Sequence, residues 1–150
     1  MVRIQHDPFD VGVEIGRLQG EDARIGAVAC FVGVMRDRND GDTVTAMTLE
    51  HYPGMTERAL EQIITQARGR WDLIDVLVVH RVGELKPTDP IVLVAVTSAH
   101  RGEAFAACEF VMDYLKTDAP FWKKEVTPTG ERWVDSRVSD DRARERWERP

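Results

Sequence analysis

Apolar and polar positions alternate along this chain in a way that predicts strands and helices in mixed order. Val2 to Gln5 fits a short strand, and Asp10 can cap a short helix with Val11, Val13, Ile15 and Leu18 as its apolar positions, ending near Gly20. Ile25 to Val34 is a long β-rich apolar run, read as a buried strand. The charged stretch Arg36 to Asp42, with its Asp40-Gly41 pair, breaks it, and Thr43 to Tyr52 reads as the next strand. Strand, loop and strand together predict a long hairpin. Pro53-Gly54 then opens a helix in which Met55, Leu60, Ile63, Ile64, Ala67 and Trp71 keep helical spacing.

Leu73 to Val82 is a third strand and Gly83 to Pro90 a loop. Ile91 to Val96 is apolar on both faces, which places it centrally in a sheet covered on both sides. A second long helix is expected from about Arg101 to Lys116, its inner stripe built on Phe105, Cys108, Met112 and Leu115 and widened by Ala104, Ala107 and Val111, and Pro120 stops it. Phe121 to Thr127 and Glu131 to Asp135 read as strands around a turn at Pro128-Thr129-Gly130. The tail from Ser139 is dense in charge, with Trp147 its only large apolar residue. It is either a short amphipathic helix or a segment that orders against a partner. The expectation is one α+β domain over residues 1–150, with two helices packed on a mixed or antiparallel sheet.

Composition narrows the classes. The 150 residues suffice for a core without staples. A net charge of −6 opposes nucleic acid and anionic membranes as partners. No stretch approaches the roughly 18 unbroken apolar residues of a membrane span, and the first residues lack a secretory apolar region, so a cytoplasmic location is expected. Cys30 and Cys108 both lie in apolar runs and are expected to be buried and inert. Without zinc-type spacing, neither a metal nor a cofactor is expected.

An acidic chain must hold an anionic ligand with a local basic cluster. Lys116 closes a helix, and Lys123 follows Pro120-Phe121-Trp122. Apolar walls and a second lysine favour a lysine active in proton transfer or nucleophilic attack near neutral pH. The competing account is that helix C-termini simply favour lysine. Thr97-Ser98-Ala99-His100-Arg101 lies before a helix N-terminus, where free N–H groups, His100 and Arg101 suit an anion, although Glu103 dilutes the charge. Arg36 and Arg38 are a third source of positive charge, whereas His80-Arg81 and His51 have ordinary structural readings. On spacing alone, the chemistry stops at a basic anion site of unknown substrate.

Four blocks in order then carry a resemblance: Leu49-Glu50-His51-Tyr52-Pro53-Gly54-Met55-Thr56; His80-Arg81-Val82-Gly83-Glu84-Leu85; Val96-Thr97-Ser98-Ala99-His100-Arg101; and Met112 to Thr117 with Ala119 to Glu125. Together they closely resemble the molybdopterin synthase large subunit, the MoaE family. The resemblance implies an α/β-hammerhead fold and a sulfurtransferase that converts cyclic pyranopterin monophosphate to molybdopterin. Its sulfur would come from two small ubiquitin-like subunits, each with a C-terminal Gly-Gly thiocarboxylate. It also implies a homodimer within a heterotetramer, with a pocket that borrows residues across the dimer interface. By the same resemblance, Lys116 and Lys123 match the catalytic lysines. Arg36, His100 and Arg101 match substrate-binding residues, as does Arg137 in the more divergent tail. Two rival readings are a non-catalytic scaffold for a ubiquitin-like sulfur carrier and a small-anion-binding regulatory domain.

Overall fold

The computed structural model describes residues 1–134 and 138–148. Its elements follow in the order β1 (Val2–Gln5), α1 (Val11–Gln19), β2 (Ala27–Val34), β3 (Arg38–Asn39), β4 (Asp42–Thr43), β5 (Ala46–His51), α2 (Met55–Arg70), β6 (Asp75–Arg81), β7 (Gly83–Leu85), β8 (Pro90–Ser98), α3 (Arg101–Asp118), β9 (Phe121–Thr127), β10 (Gly130–Val134) and α4 (Val138–Glu145). The fold is α+β, with α2 and α3 on a mixed sheet of order β1-β6-β8-β2. Only β1 and β6 run parallel there. A second sheet, order β10-β9-β5-β7, is antiparallel throughout.

β8 is central, as its two apolar faces require. Val92, Val94 and Val96 join Val76 and Val78 of β6 against Leu60, Ile63, Ile64 and Ala67 of α2 and the inner face of α3. Leu93 and Ala95 point the other way, with Leu77 and Val79, toward Phe9, Val11 and Leu18 around α1. The period of two along each strand thus builds two cores at once. The Asp10 carboxylate caps α1 by accepting the Val13 N–H at 2.9 Å. At the start of α2 the Glu57 carboxylate accepts the N–H of Gly54, whose φ of 83° suits glycine. Gly26, just before β2, sits where a Cβ would lie 2.1 Å from the Ala99 carbonyl oxygen, so only glycine fits that approach.

Several expectations are corrected. β2 and β5 form no hairpin: β2 pairs with β8, and β5 pairs with β7 and β9 in the second sheet. The charged loop between them folds as its own small ribbon, β3-β4, leaving each long strand to find a partner distant in sequence. The loop after β6 contains β7, which pairs with β5. Cys30 is exposed because β2 is an edge strand, whereas Cys108 is buried. On α3 the expected inner positions Ala104, Ala107, Cys108, Val111, Met112 and Leu115 are buried, but Phe105 lies at the rim of that stripe and is 67% exposed.

The tail is a helix docked within the chain. Trp147 meets Trp71 and Phe110 edge-on at 5.6 and 5.5 Å, and its indole N–H donates to the Asp113 carboxylate at 2.7 Å. The Arg70 guanidinium lies over all three rings and donates to the Trp147 carbonyl at 3.0 Å. Between α3 and β9 stand only Ala119 and Pro120. Pro120 forces the residue before it to be extended, and Ala119, with ψ of 132°, ends the helix there.

Candidate functional site

That two-residue joint puts two lysines on one cavity. Lys116 comes from the last turns of α3, and Lys123 from β9, the strand that follows. The cavity measures about 520 Å³ and its lining includes both lysines, Arg36, Arg38, His80, Phe121 and the acids Glu125 and Asp140. Met35, Met47 and Leu49, with Ile91 packed against them, form an apolar cluster that also reaches its wall. An anion entering this space meets cations against apolar surface, where charge interactions are screened less than in open water.

The two lysines have different surroundings. The Lys123 ammonium lies 3.9 Å from the carboxylate of Glu125, which is only 3% exposed. Glu125 also accepts from the Asn39 amide at 3.0 and 3.1 Å and from the Arg132 guanidinium at 3.3 Å. Side chains two residues apart on β9 share a face, so Lys123 and Glu125 project together. Lys116 is exposed, its charge acts on the His80 imidazole, and no carboxylate pairs with it among the described residues.

His80 is buried on β6 and stacks on Phe121 with centroids 3.9 Å apart and planes 17° from parallel. Its Nδ1 lies 2.7 Å from the Arg81 carbonyl oxygen. A carbonyl only accepts, so Nδ1 carries the proton and donates. Burial is the main force holding its pKa down, to about 4. The Arg81 hydrogen bond opposes that fall, and the charges of Lys116 and His51 add to it. His51, on β5, keeps its Nδ1 buried without a hydrogen bond among the described residues, 3.8 Å from the Glu57 carboxylate.

The lowered pKa has a consequence for stability. Between the ordinary value of 6.5 and about 4, the unfolded chain binds a proton that folded His80 does not. Stability is therefore lost as pH falls through that window, by roughly 2–3 kcal/mol at pH 4.5. Urea unfolding at pH 7 and pH 4.5 should show the wild type losing that much more than His80→Phe. Equal losses in the two proteins would show that His80 titrates normally.

The other expected residues lie elsewhere. His100 is the N-cap of α3 and Arg101 its first residue, and both are exposed. A rise of about 1.5 Å per residue puts them roughly 22 Å from Lys116 along the helix. The chain by itself therefore does not bring His100 and Arg101 to the lysine cavity; the unbroken length of α3 separates them. Glu103 engages the Ser98 hydroxyl, which donates to it at 3.2 Å. Arg137 lies outside the described residues. Reading the sequence missed His80, which is in phase with Val76 and Val78 on β6, and Glu125, in phase with Lys123 on β9. Strand alternation was the signal in both cases. Among the described residues no group of three or more His, Cys, Asp and Glu is arranged to hold a metal ion, and no helix is long and apolar enough to cross a membrane.

Comparison with known proteins identifies the family. The MoaE protein family model matches residues 4–118. The molybdopterin synthase catalytic subunit of Ralstonia nicotianae is 64% identical over 146 residues, 97% of this chain and 83% of that one. Its counterpart in Escherichia coli is 59% identical over 140 residues, 93% of each chain. Among solved structures, the molybdopterin biosynthesis MoaE protein from Burkholderia ambifaria superposes with a TM-score of 0.85 at 59% identity, covering 100% of this chain and 99% of the other. Molybdopterin synthase from Staphylococcus aureus superposes with a TM-score of 0.81 at 33% identity, over 89% and 96%. By family match, by identity along nearly its whole length and by fold, this chain belongs to the MoaE family.

Proposed function

We propose that the chain is the catalytic subunit of a molybdopterin synthase, working in the cytoplasm. It transfers sulfur to cyclic pyranopterin monophosphate from the C-terminal Gly-Gly thiocarboxylate of a small ubiquitin-like subunit, and two such carriers are consumed per molybdopterin. The observation that carries this reading is the cavity in which Lys116, Lys123 and Arg36 converge in a chain of net charge −6. Substrate phosphate and donor thiocarboxylate are both anions. Bringing them within about 4 Å costs on the order of 4 kcal/mol at intermediate dielectric, and these cations, with Arg38 beside them, offset that cost. Lys116, with no carboxylate paired to it among the described residues, stabilises charge on the thiocarboxylate carbonyl. Lys123 and Arg36 position the phosphate.

His100 and Arg101 enter this scheme from a second copy, in a homodimer that carries a small subunit at each end. The open edge of β2 supports such pairing: Phe31 and Val34 are 41% and 48% exposed there, and Phe105 stands out from α3, which packs on β2. Arg137 is assigned to substrate binding on sequence alone.

The test mixes purified protein, thiocarboxylated small subunit and cyclic pyranopterin monophosphate, and detects molybdopterin as its fluorescent oxidised derivative. Product that requires all three components is the expected result. Well-folded protein that binds the small subunit yet makes no product would instead be a scaffold for the carrier.

A further inference from the structure

The lysines and arginines of the cavity read anions, but one atom of its lining asks for the opposite chemistry. His80 spends its only proton on the Arg81 carbonyl, so Nε2 presents a lone pair. Among the described residues Nε2 has no hydrogen-bond donor, although the ring is 5% exposed and lines the cavity. Phe121 clamps one face of the ring, which fixes the direction of that lone pair. A fully ionised carboxylate, thiocarboxylate or cyclic phosphodiester cannot satisfy it, since its oxygens only accept.

We propose that His80 is a ligand-reading residue whose Nε2 accepts an N–H from the molecule in the cavity. This rests on the function proposed above, and both partners named there supply the chemistry. The pterin ring carries lactam and amine N–H groups on its edge, and the Gly-Gly tail carries amide N–H groups. The group stays an acceptor at working pH, because burial and the nearby Lys116 charge hold the ring neutral down to about pH 4. A site with cations for the anionic end of a ligand and one fixed acceptor for an N–H selects against simple anions, which satisfy the first requirement only.

The experiment uses the full chain labelled with ¹⁵N-histidine, titrated separately with cyclic pyranopterin monophosphate and with the small subunit in its carboxylate form. The Nε2 resonance of His80 should move upfield, as a pyridine-type nitrogen does on accepting a hydrogen bond, with one of the two ligands; that ligand is the N–H source. Calorimetry on His80→Asn, whose amide can keep the Arg81 hydrogen bond but lacks Nε2, should show about tenfold weaker binding of the same ligand. The other ligand should bind as before. Inorganic sulfate, which has no O–H to donate, should leave the resonance unmoved.

Both ligands binding with Nε2 unmoved would overturn the proposal and leave the enzyme assignment standing. So would a resonance already at its hydrogen-bonded position in the free protein and released by Lys116→Met, which would make His80 an anchor for that lysine. Failure of either ligand to bind the wild type would sink the enzyme assignment, and this proposal with it.

Discussion

Lys116→Ala should lower molybdopterin formation by at least a hundredfold while leaving the fold and small-subunit binding close to wild type. The side chain is exposed and makes no hydrogen bond or ion pair among the described residues. Its favourable place at the C-terminal end of α3 contributes a few tenths of a kcal/mol, which the better helix propensity of alanine largely returns. Folding stability should therefore change by less than about 0.5 kcal/mol. Stabilising charge that develops during acyl transfer is a far larger role, commonly worth factors of about 10² to 10³ in rate. Lys123→Ala is less clean, because it also removes a cation from beside the buried Glu125. Single-turnover product formation, with circular dichroism as the control, separates the two effects. A Lys116→Ala protein that fails to fold, or one that turns over normally, would remove Lys116 from the chemistry.

Phe110→Ala should be the most damaging single change in the core, costing about 3–5 kcal/mol. Phe110 is 1% exposed and contacts Trp71 edge-on at 5.4 Å, Tyr114 at 4.5 Å and Trp147 at 5.5 Å. Its removal leaves a void and also strips Arg70 of one of its three rings. In a domain of this size the melting temperature should fall by roughly 10 °C or more. Trp147 should gain solvent exposure, visible as a red shift of its emission. A melting point within a few degrees of wild type would mean that the tail helix closes the gap by itself.

How far the sequence alone could reach is set by which constraints are local. Asp10 capping α1, Pro120 stopping α3 and the two-faced apolar run of β8 are all legible because neighbours in sequence decide them. Partnering of strands is not local. The edge of β2 pairs with β8 rather than with β5, and a charged loop between two strands looks the same whether or not they form a hairpin. Phe105 fits an inner stripe with Cys108, Met112 and Leu115, yet it alone of the four turns outward, because Ala104 and Ala107 take the place nearest the sheet. At the site, Lys116, Lys123 and Arg36 are legible as basic candidates from their places in the chain, the family resemblance supplies their roles, and they share one cavity. His100 and Arg101 belong to the same resemblance yet stand at the far end of α3, a separation that motif order does not encode.

The joint of Ala119 and Pro120 sets a limit on how this sequence can drift. Lys124, one step from Lys123, pairs with Glu131 and lies under Trp133, away from the position of Lys123. If β9 kept its hydrogen-bonding frame against β5, one residue gained or lost at the joint would exchange the two lysines and turn Glu125 out of its buried place. Point substitutions there are tolerable wherever the backbone shape survives, but changes of length are not. The turn at Asp40-Gly41, which no long strand follows directly, carries no such restriction. Length variation among related chains should therefore gather at that turn and be missing from the joint.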